Sequence, residues 1–459
     1  MTISRPRPQR SRRGVRRLAS VAVLTLVSAL GACAAASGGS QASAQAATVW
    51  DPSTVHEVSV DIDPDDLTQM LTTYQETGEK EWLRVDVTID GETVRDAGIR
   101  LKGNSSLRAV STDSDPADLP WLIDLDQFVD DQRIDEWEAF VIRSNTTQTS
   151  LNEAVALDLL QSAGLASQEA VAVSFSANDG EESLRLMVQD LDNRWDEAVF
   201  DNEGTLYKSE SGGDWSYRGD EPEAYEDVFD IEAGTDDYAP LTDFLQWLNE
   251  SSDAEFEADL PDRLDVDAFA SYLALEHLMA NMDDIDGPGN NSFLRWDAST
   301  EQMTVVAWDH NLAFGVSNGG GAGGGPGGGP GGGAVPSAGG APETPPNEDM
   351  APPDGAPDAA GAGQVAAPSQ SNVLADRFME VGSFVQLYEE ALETLQSDLF
   401  DSGTAQDVLD AWSTLLTEQA GDLVTSATVD AEAADVAAYF DGRGVDEQEL
   451  QGPGAGGPF

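Results

Sequence analysis

The chain has little positive charge and almost no sulfur chemistry. Cys33 is the only cysteine among 459 residues, so no internal disulfide can form. Lys and Arg number 23 against 85 Asp and Glu, a formal net charge of −62. A surface of that sign repels nucleic acid and excludes it as a partner. The three histidines, His56, His277 and His310, leave few bases for nucleophilic hydrolysis, and no G-x-S-x-G elbow accompanies them. No His/Cys spacing supports zinc. A Walker P-loop and a kinase-type glycine-rich loop are both missing from the sequence. The longest apolar run, Leu18 to Leu30, is too short to span a bilayer.

That run has a context. The first seventeen residues carry seven arginines and no acids, and small residues lead from Leu30 through Gly31 and Ala32 to Cys33. The arrangement resembles a bacterial lipoprotein signal, with cleavage before Cys33 and a lipid on its sulfur. Residues 1–32 are therefore expected to be a signal peptide and 33–49 a flexible Ala/Ser/Gly tether. The mature protein is expected to be exported, either lipid-anchored at the outer face of the cell membrane or extracellular. Losing residues 1–32 removes seven arginines and moves the net charge from −62 to −69. Only three lysines then remain: Lys80, Lys102 and Lys208.

Folding signals begin near Trp50. Val55 to Ile62 alternates as a strand, and Pro64-Asp65-Asp66 opens a helix through Tyr74. Trp82–Ile89 and Val94–Leu101 form a hairpin across Asp90-Gly91. Further strands are expected over Pro120–Phe128, Ala139–Arg143, Val171–Phe175, Leu184–Val188 and Leu206–Lys208. Ser150–Ala163 reads as an amphipathic helix with Leu151, Val155, Leu159 and Leu160 on one face. Gly212–Gly234 reads as a loop or insert, while Leu241–Asn249 and Val266–Met279 read as helices. Residues 319–369 are rich in Gly, Pro and Ala and cannot bury enough surface to fold. Helical patterning returns from Asn372 to Val424, a last helix covers Val429–Phe440, and residues 446–459 form a loose tail. The expectation is one α+β unit, 50–318 plus 370–445, with an N-terminal mostly antiparallel sheet, a C-terminal helical part and a disordered insert.

The chemistry concentrates between Asn281 and Gly315. Asp283, Asp284 and Asp286 stand on a Gly/Pro loop with Asn290 and Asn291. Phe293–Trp296 and Met303–Trp308 read as a hairpin that brings this loop and Asp309 to the same end of a sheet. Carboxylates and amides converging there suit a hard divalent cation with oxygen ligands. The bland alternative is a solvated acidic turn. Calcium binding is the non-enzyme rival, although Asp284-x-Asp286-Gly287 does not continue into a full calcium loop. Two carboxylates would also serve a glycosidase, but with 85 acids any such pair is uninformative. Phosphoryl transfer fits better: it needs a cation held by an Asp and an Asn, an Asp to accept the hydroxyl proton, and a lysine on the phosphates. Lys102 or Lys208 supplies that lysine. His277, on a helix, reads as a packed or capping histidine, and His310 as structural or partly exposed.

These motifs together resemble the CotH-type secreted kinases, an atypical protein-kinase-like family. The resemblance rests on Lys102-Gly103-Asn104-Ser105-Ser106, Gly204-x-Leu206-Tyr207-Lys208 and Asp283…Asn290-Asn291-x-Phe293-Leu294. It continues through Trp308-Asp309-x-Asn311-x-x-Phe314-Gly315 and Asn372-x-Leu374. It implies a kinase-like fold that binds ATP with Mg²⁺ or Mn²⁺ and phosphorylates Ser/Thr of a protein substrate. On this reading Asp309 is the metal-binding acid and Asn290 or Asn291 the metal-binding amide. Asp283 is the first choice for the catalytic acid, with Asp286 the alternative. Lys102, Lys208 and Asn104 belong to the nucleotide site.

This chain departs from the family pattern at three places. Trp308-Asp309-His310-Asn311 carries Asn311 where a second acid is usual; an amide still ligates a metal but brings no charge. Trp121 stands where a lysine is expected, and Gln189 where a glutamate is common. The alternative is therefore a catalytically weak pseudokinase, or a metal-binding interaction protein of the cell envelope that takes Ca²⁺.

Overall fold

A computed structural model describes residues 48–440 except 104, 109, 211–213, 282, 286–290 and 317–371. The signal, most of the tether, Cys33, the Gly/Pro insert and the tail therefore lie outside the described residues. Val49, assigned by sequence to the tether, is buried beside Trp50 in the core.

Seven strands close into a barrel: β1 (His56–Asp61), β2 (Leu83–Ile89), β3 (Glu92–Leu101), β4 (Trp121–Asp124), β5 (Ala139–Ile142), β6 (Ala170–Ala177) and β7 (Ser183–Gln189). Their order is β1-β2-β3-β4-β5-β7-β6, and β6 closes the ring by pairing parallel with β1. All other pairings are antiparallel. Branched and aromatic side chains fill the interior, among them Val60, Val87, Ile99, Trp121, Ile123, Phe140 and Phe175, so the barrel is a packed core and not a channel. Closure leaves no sheet edge among these seven strands. Between β1 and β2 runs α1 (Pro64–Thr77), started by the Asp63 side chain on the amides of Asp65 and Asp66.

Strands β4 to β7 are buried on both faces. Leu122, Val141, Leu186, Val188 and Ala172 point away from the barrel into a second core beneath α2 (Leu151–Ser162). That double burial replaces alternation with continuous apolar runs. It also corrects two expectations: β4 ends at Asp124 instead of reaching Phe128, and α2 is not a one-faced amphipathic helix. Asn152, Glu153, Ala154, Ala156 and Leu157 are buried together with its leucines, because α2 lies between the barrel and α9 (Thr404–Gln419).

A second sheet, in the order β11-β10-β8-β9, comprises β8 (Gly204–Ser209), β9 (Phe229–Ala233), β10 (Ser292–Asp297) and β11 (Gln302–Ala307). β9 falls in the stretch read as a loop: only Phe229 and Ala233 at its ends are buried, with acids between them, so no periodicity announced it. Helix α3 (Asn193–Val199) packs Trp195 into a small core with Phe293 and Val306. The remaining helices are α4 (Ala239–Glu250), α5 (Asp253–Asp259), α6 (Val266–Leu278), α7 (Val373–Glu380), α8 (Gly382–Leu395) and α10 (Ser426–Phe440). They share the large second core with Trp412 of α9 through Leu245, Phe256, Phe269, Phe378, Phe384 and Val429. Among the described residues, no helix is long and apolar enough to cross a membrane.

Candidate functional site

Leu101, Trp121 and Ile142 pair in register across β3, β4 and β5. The residues that follow β3 and β5, Lys102 and Arg143, therefore leave the same rim of the barrel. Lys102 is fastened there by its amide, which donates to the Pro120 carbonyl at 3.1 Å. From the second sheet, Ser292 pairs with Ala307, so Asn291 and Trp308 flank one end of the β10–β11 hairpin, as the sequence predicts.

Trp308 is the surface against which the cations gather. Lys102 Nζ lies 5.4 Å and the Arg143 guanidinium 5.8 Å from its ring centroid, and Phe293 meets it edge-on at 5.3 Å. Lys102 Nζ also contacts Asp190 Oδ1 at 2.5 Å, immediately after β7. Burial works against a charged Asp190, but the lysine outweighs it and holds the carboxyl below the usual range. This corrects the reading of Gln189 as a lost partner. Gln189 is buried and accepts the Glu169 amide at 2.9 Å, while the acid that pairs with Lys102 stands one residue further on. Trp121, where a lysine was expected, fills the barrel interior and donates from its indole nitrogen to Pro116.

Asp309 adopts a left-handed backbone, φ 64°, in the turn that follows β11. One of its oxygens accepts from Arg143 Nη2, and Arg143 Nε reaches Glu153 Oε1 at 2.8 Å on α2. Arg143 is thus a buried cation between two acids. Burial disfavours its charge, yet Asp309 and Glu153 overcome that and raise its pKa. Burial also raises Glu153 above the usual carboxyl range, against the pull of Arg143.

A second network underlies the first. His310 is fully buried and its Nε2 lies 2.8 Å from Glu276 Oε1; Glu276 Oε2 accepts from Asn281 Nδ2 at 2.8 Å. Burial opposes charge on His310, but Glu276 raises its pKa above the ordinary imidazole value. His310 is structural and not exposed. His277 is packed as expected, its Nδ1 2.9 Å from the Tyr388 hydroxyl. Asn152 on α2 donates to the Asn311 carbonyl at 2.7 Å, and the Phe314 amide donates to Met279 at 2.6 Å. The Asp309–Phe314 turn is therefore tied to both α2 and the end of α6.

The acidic loop is partly described. Asn291 donates from Nδ2 to the Asp283 carbonyl at 2.8 Å and from its backbone to Asp284 at 3.3 Å, and the Ile285 amide donates to the Tyr272 hydroxyl at 3.1 Å. Asn291 thereby braces the backbone that presents Asp283. Asp286, Asn290 and Asn104 lie outside the described residues. Lys208 contacts Glu210 at 2.8 Å and is close enough to Asp190 to lower its pKa further. The structure thus brings Lys102 and Asp309 together around Trp308, with Lys208 at their side. Sequence reasoning missed Arg143, Glu153 and Asp190. One signal was available: Glu153 is an acid inside an otherwise apolar helix, and such a group requires a buried partner.

A rim where Lys102 and Arg143 are paired with acids from remote elements and Lys208 with its near neighbour Glu210, beside a loop of carboxylates and amides, defines a polar reaction or binding site on an α+β scaffold. The family model described as CotH kinase protein matches residues 99–436, and the chain belongs to that family. Membership suggests a kinase-like protein. A comparison with curated proteins gave no match.

Proposed function

We propose that this chain is an exported CotH-like kinase that transfers phosphate from ATP to a Ser or Thr hydroxyl of a protein substrate. The observation that carries the reading is the Lys102–Asp190 pair on Trp308 beside Asp309, in a chain matched by the CotH kinase family over 99–436. The mostly antiparallel barrel followed by a helical part supports an atypical kinase-like fold. In the transfer, the substrate oxygen forms a bond to the γ-phosphorus while the bond to the β-phosphate oxygen breaks, and ADP leaves. The hydroxyl proton passes to Asp283, with Asp286 the alternative acceptor. Lys102, held extended by Asp190, and Lys208 neutralise phosphate oxygens, with Asn104 on the same nucleotide.

The donor set fits a hard cation such as Mg²⁺ or Mn²⁺. It is all oxygen, from the Asp309 carboxylate and the amides of Asn291 and Asn311, with Asn290 the alternative amide. Bound there, the ion would neutralise phosphate charge. Among the described residues no cluster of three His, Cys, Asp or Glu side chains is disposed to hold a metal, so the site relies on one carboxylate and amides. The basic leader and Cys33 support export and a lipid anchor at the outer face of the membrane.

One observation favours a second reading. Arg143 already occupies Asp309, and Asn311 adds no charge; both weaken a metal–nucleotide site, which fits a catalytically weak pseudokinase or an interaction protein of the envelope, with Ca²⁺ at the loop acids as its alternative ion. The test incubates the purified chain with labelled ATP and Mg²⁺ or Mn²⁺, beside Asp309→Ala and Asp283→Ala. Autophosphorylation lost in both variants is the expected result. Absence of both phosphorylation and metal-dependent nucleotide binding in the unaltered chain would remove the kinase reading, and calorimetry with Ca²⁺ alone then tests the second.

A further inference from the structure

Arg143 is held between two carboxylates whose surroundings differ. Glu153 is enclosed, with 5% of its side chain exposed, whereas Asp309 exposes 25%. Arg143 hydrogen-bonds Asp309, the one carboxylate of the all-oxygen donor set. Its other anchor is fixed independently: Glu153 lies on α2, and its neighbour Asn152 donates to the Asn311 carbonyl at 2.7 Å, tying that helix to the turn. The guanidinium also lies 5.8 Å from the Trp308 ring centroid, beside Lys102 Nζ at 5.4 Å from the same ring. Trp121 brings no charge to this rim, but its cross-strand partner Ile142 is followed by Arg143. Lys102 and Arg143 set two positive charges against the three acids Asp190, Glu153 and Asp309, a formal −1. With a divalent cation added the sum is +1, so an anion is favoured only together with the cation.

We propose that Arg143 exchanges Asp309 for a phosphate oxygen when a divalent cation and a polyphosphate bind together, and so makes the binding of each depend on the other. The inference rests on the nucleotide reading above. In the free protein Arg143 competes with a cation for Asp309, so the ion alone binds weakly. Glu153 keeps the displaced guanidinium from standing buried and uncompensated. Nε stays with Glu153 while Nη2 turns from a carboxylate to a phosphate oxygen, and a guanidinium donates well to either. Without phosphate the released Nη2 loses its acceptor. Without the cation, a phosphate meets the unscreened Asp309 carboxylate.

The test measures, by calorimetry on the full chain, the affinity for Mn²⁺ alone and for Mn²⁺ with ATP. Beside it stand Glu153→Gln and a paired variant carrying both Arg143→Gln and Glu153→Gln. The paired variant removes both charges at once, so no carboxylate is left buried and alone, and thermal unfolding checks that it folds. It is expected to bind Mn²⁺ alone about tenfold tighter, the gain of a freed carboxylate. Its affinity for Mn²⁺ with ATP should stay within about threefold, because the phosphate contact it lacks offsets the Asp309 contact it no longer has to break. Glu153→Gln leaves Arg143 to Asp309 alone and is expected to weaken Mn²⁺ binding about threefold or more. Unchanged or weaker Mn²⁺ binding in the paired variant overturns the proposal. If the paired variant does not fold, the single variant decides, and a Mn²⁺ affinity equal to that of the unaltered chain overturns it. Equal tightening with and without ATP means that Arg143 competes with the ion but gains no phosphate; the exchange is then overturned while the nucleotide reading stands. An unaltered chain that binds no nucleotide in Mn²⁺ overturns the nucleotide reading and the proposal together.

Discussion

Arg143 carries two dependencies at once, because Glu153 and Asp309 both lean on its one charge. Glu153 is buried on α2 and has no other cation within hydrogen-bonding reach among the described residues. Replacing Arg143 with Met leaves that carboxylate uncompensated and is expected to cost about 3–5 kcal/mol in denaturant unfolding. Asp309→Asn keeps the shape and leaves Arg143 paired with Glu153, so a much smaller cost is expected; equal losses would show that Asp309 and Glu153 share the charge evenly. A second residue reports through pH. Asp192 caps α3, and burial, reinforced by Asp190, raises its pKa to about 7. Its folded-state value lies above the ordinary carboxyl value, so the folded chain holds the proton longer than the unfolded one. Stability from this group is present at low pH and is lost as pH rises through about 7. Asp192→Asn keeps a good cap without the charge. Thermal unfolding at pH 8 should place the variant about 2 °C or more above the parent, with the gap closing toward pH 4 where both are neutral. A constant gap would place the effect in packing.

At the scale of elements, α2 is started from outside itself. Ser150 has φ 54° and makes no capping bond with its own side chain. Glu432 on α10 accepts instead from the Gln148 and Thr149 amides, each at 2.9 Å, and from the Thr149 hydroxyl. Glu432→Ala should therefore cost about 1–2 kcal/mol, with Glu432→Gln recovering part of it, as read by chemical denaturation. α10 also closes over the end of the Asp309 turn. Gly315 has φ 70°, and a Cβ there would lie 1.7 Å from the Tyr439 hydroxyl, so the glycine in the family motif answers to α10. What the sequence disclosed follows burial. β1 and β2 alternate because one face meets the barrel core and the other solvent, and the β2–β3 hairpin was visible at Asp90-Gly91. β4, β5 and α2 are buried nearly all round, which erased the periodicity that would have set their ends and faces. α5 went unread: it opens on a capping box of Ser252 and Glu255, but its seven residues are too few to set up a helical period. At the site, Asp309, Lys102 and Asn291 were legible because they sit in local motifs. Glu153 and Asp190 were not, since their partners come from remote elements and any acid among 85 looks alike.

For the molecule as a whole, the net charge of −62 and the cationic rim act over different distances. The rim pairs are partly buried: Lys102 and Asp190 expose only 20% and 15% of their side chains, so salt screens them little. The excess acids are mostly solvated and repel one another through water, where the Debye length falls from about 20 Å near 20 mM salt to about 4 Å near 500 mM. Self-repulsion is stronger in the compact state than in the expanded chain, so screening removes more of it from the folded side. The melting temperature is therefore expected to rise with NaCl across that range, opposite to a protein whose stability rests on exposed ion pairs. On the nucleotide reading proposed above, the same field opposes an incoming polyphosphate until it is within reach of Lys102 and Lys208. Stopped-flow association of metal-free ATP should accordingly quicken as salt is raised from low concentration, before screening of the rim slows it at the top of the range. Association that falls steadily from the lowest salt would mean that the rim cations, and not the acidic surface, set the field an approaching anion meets.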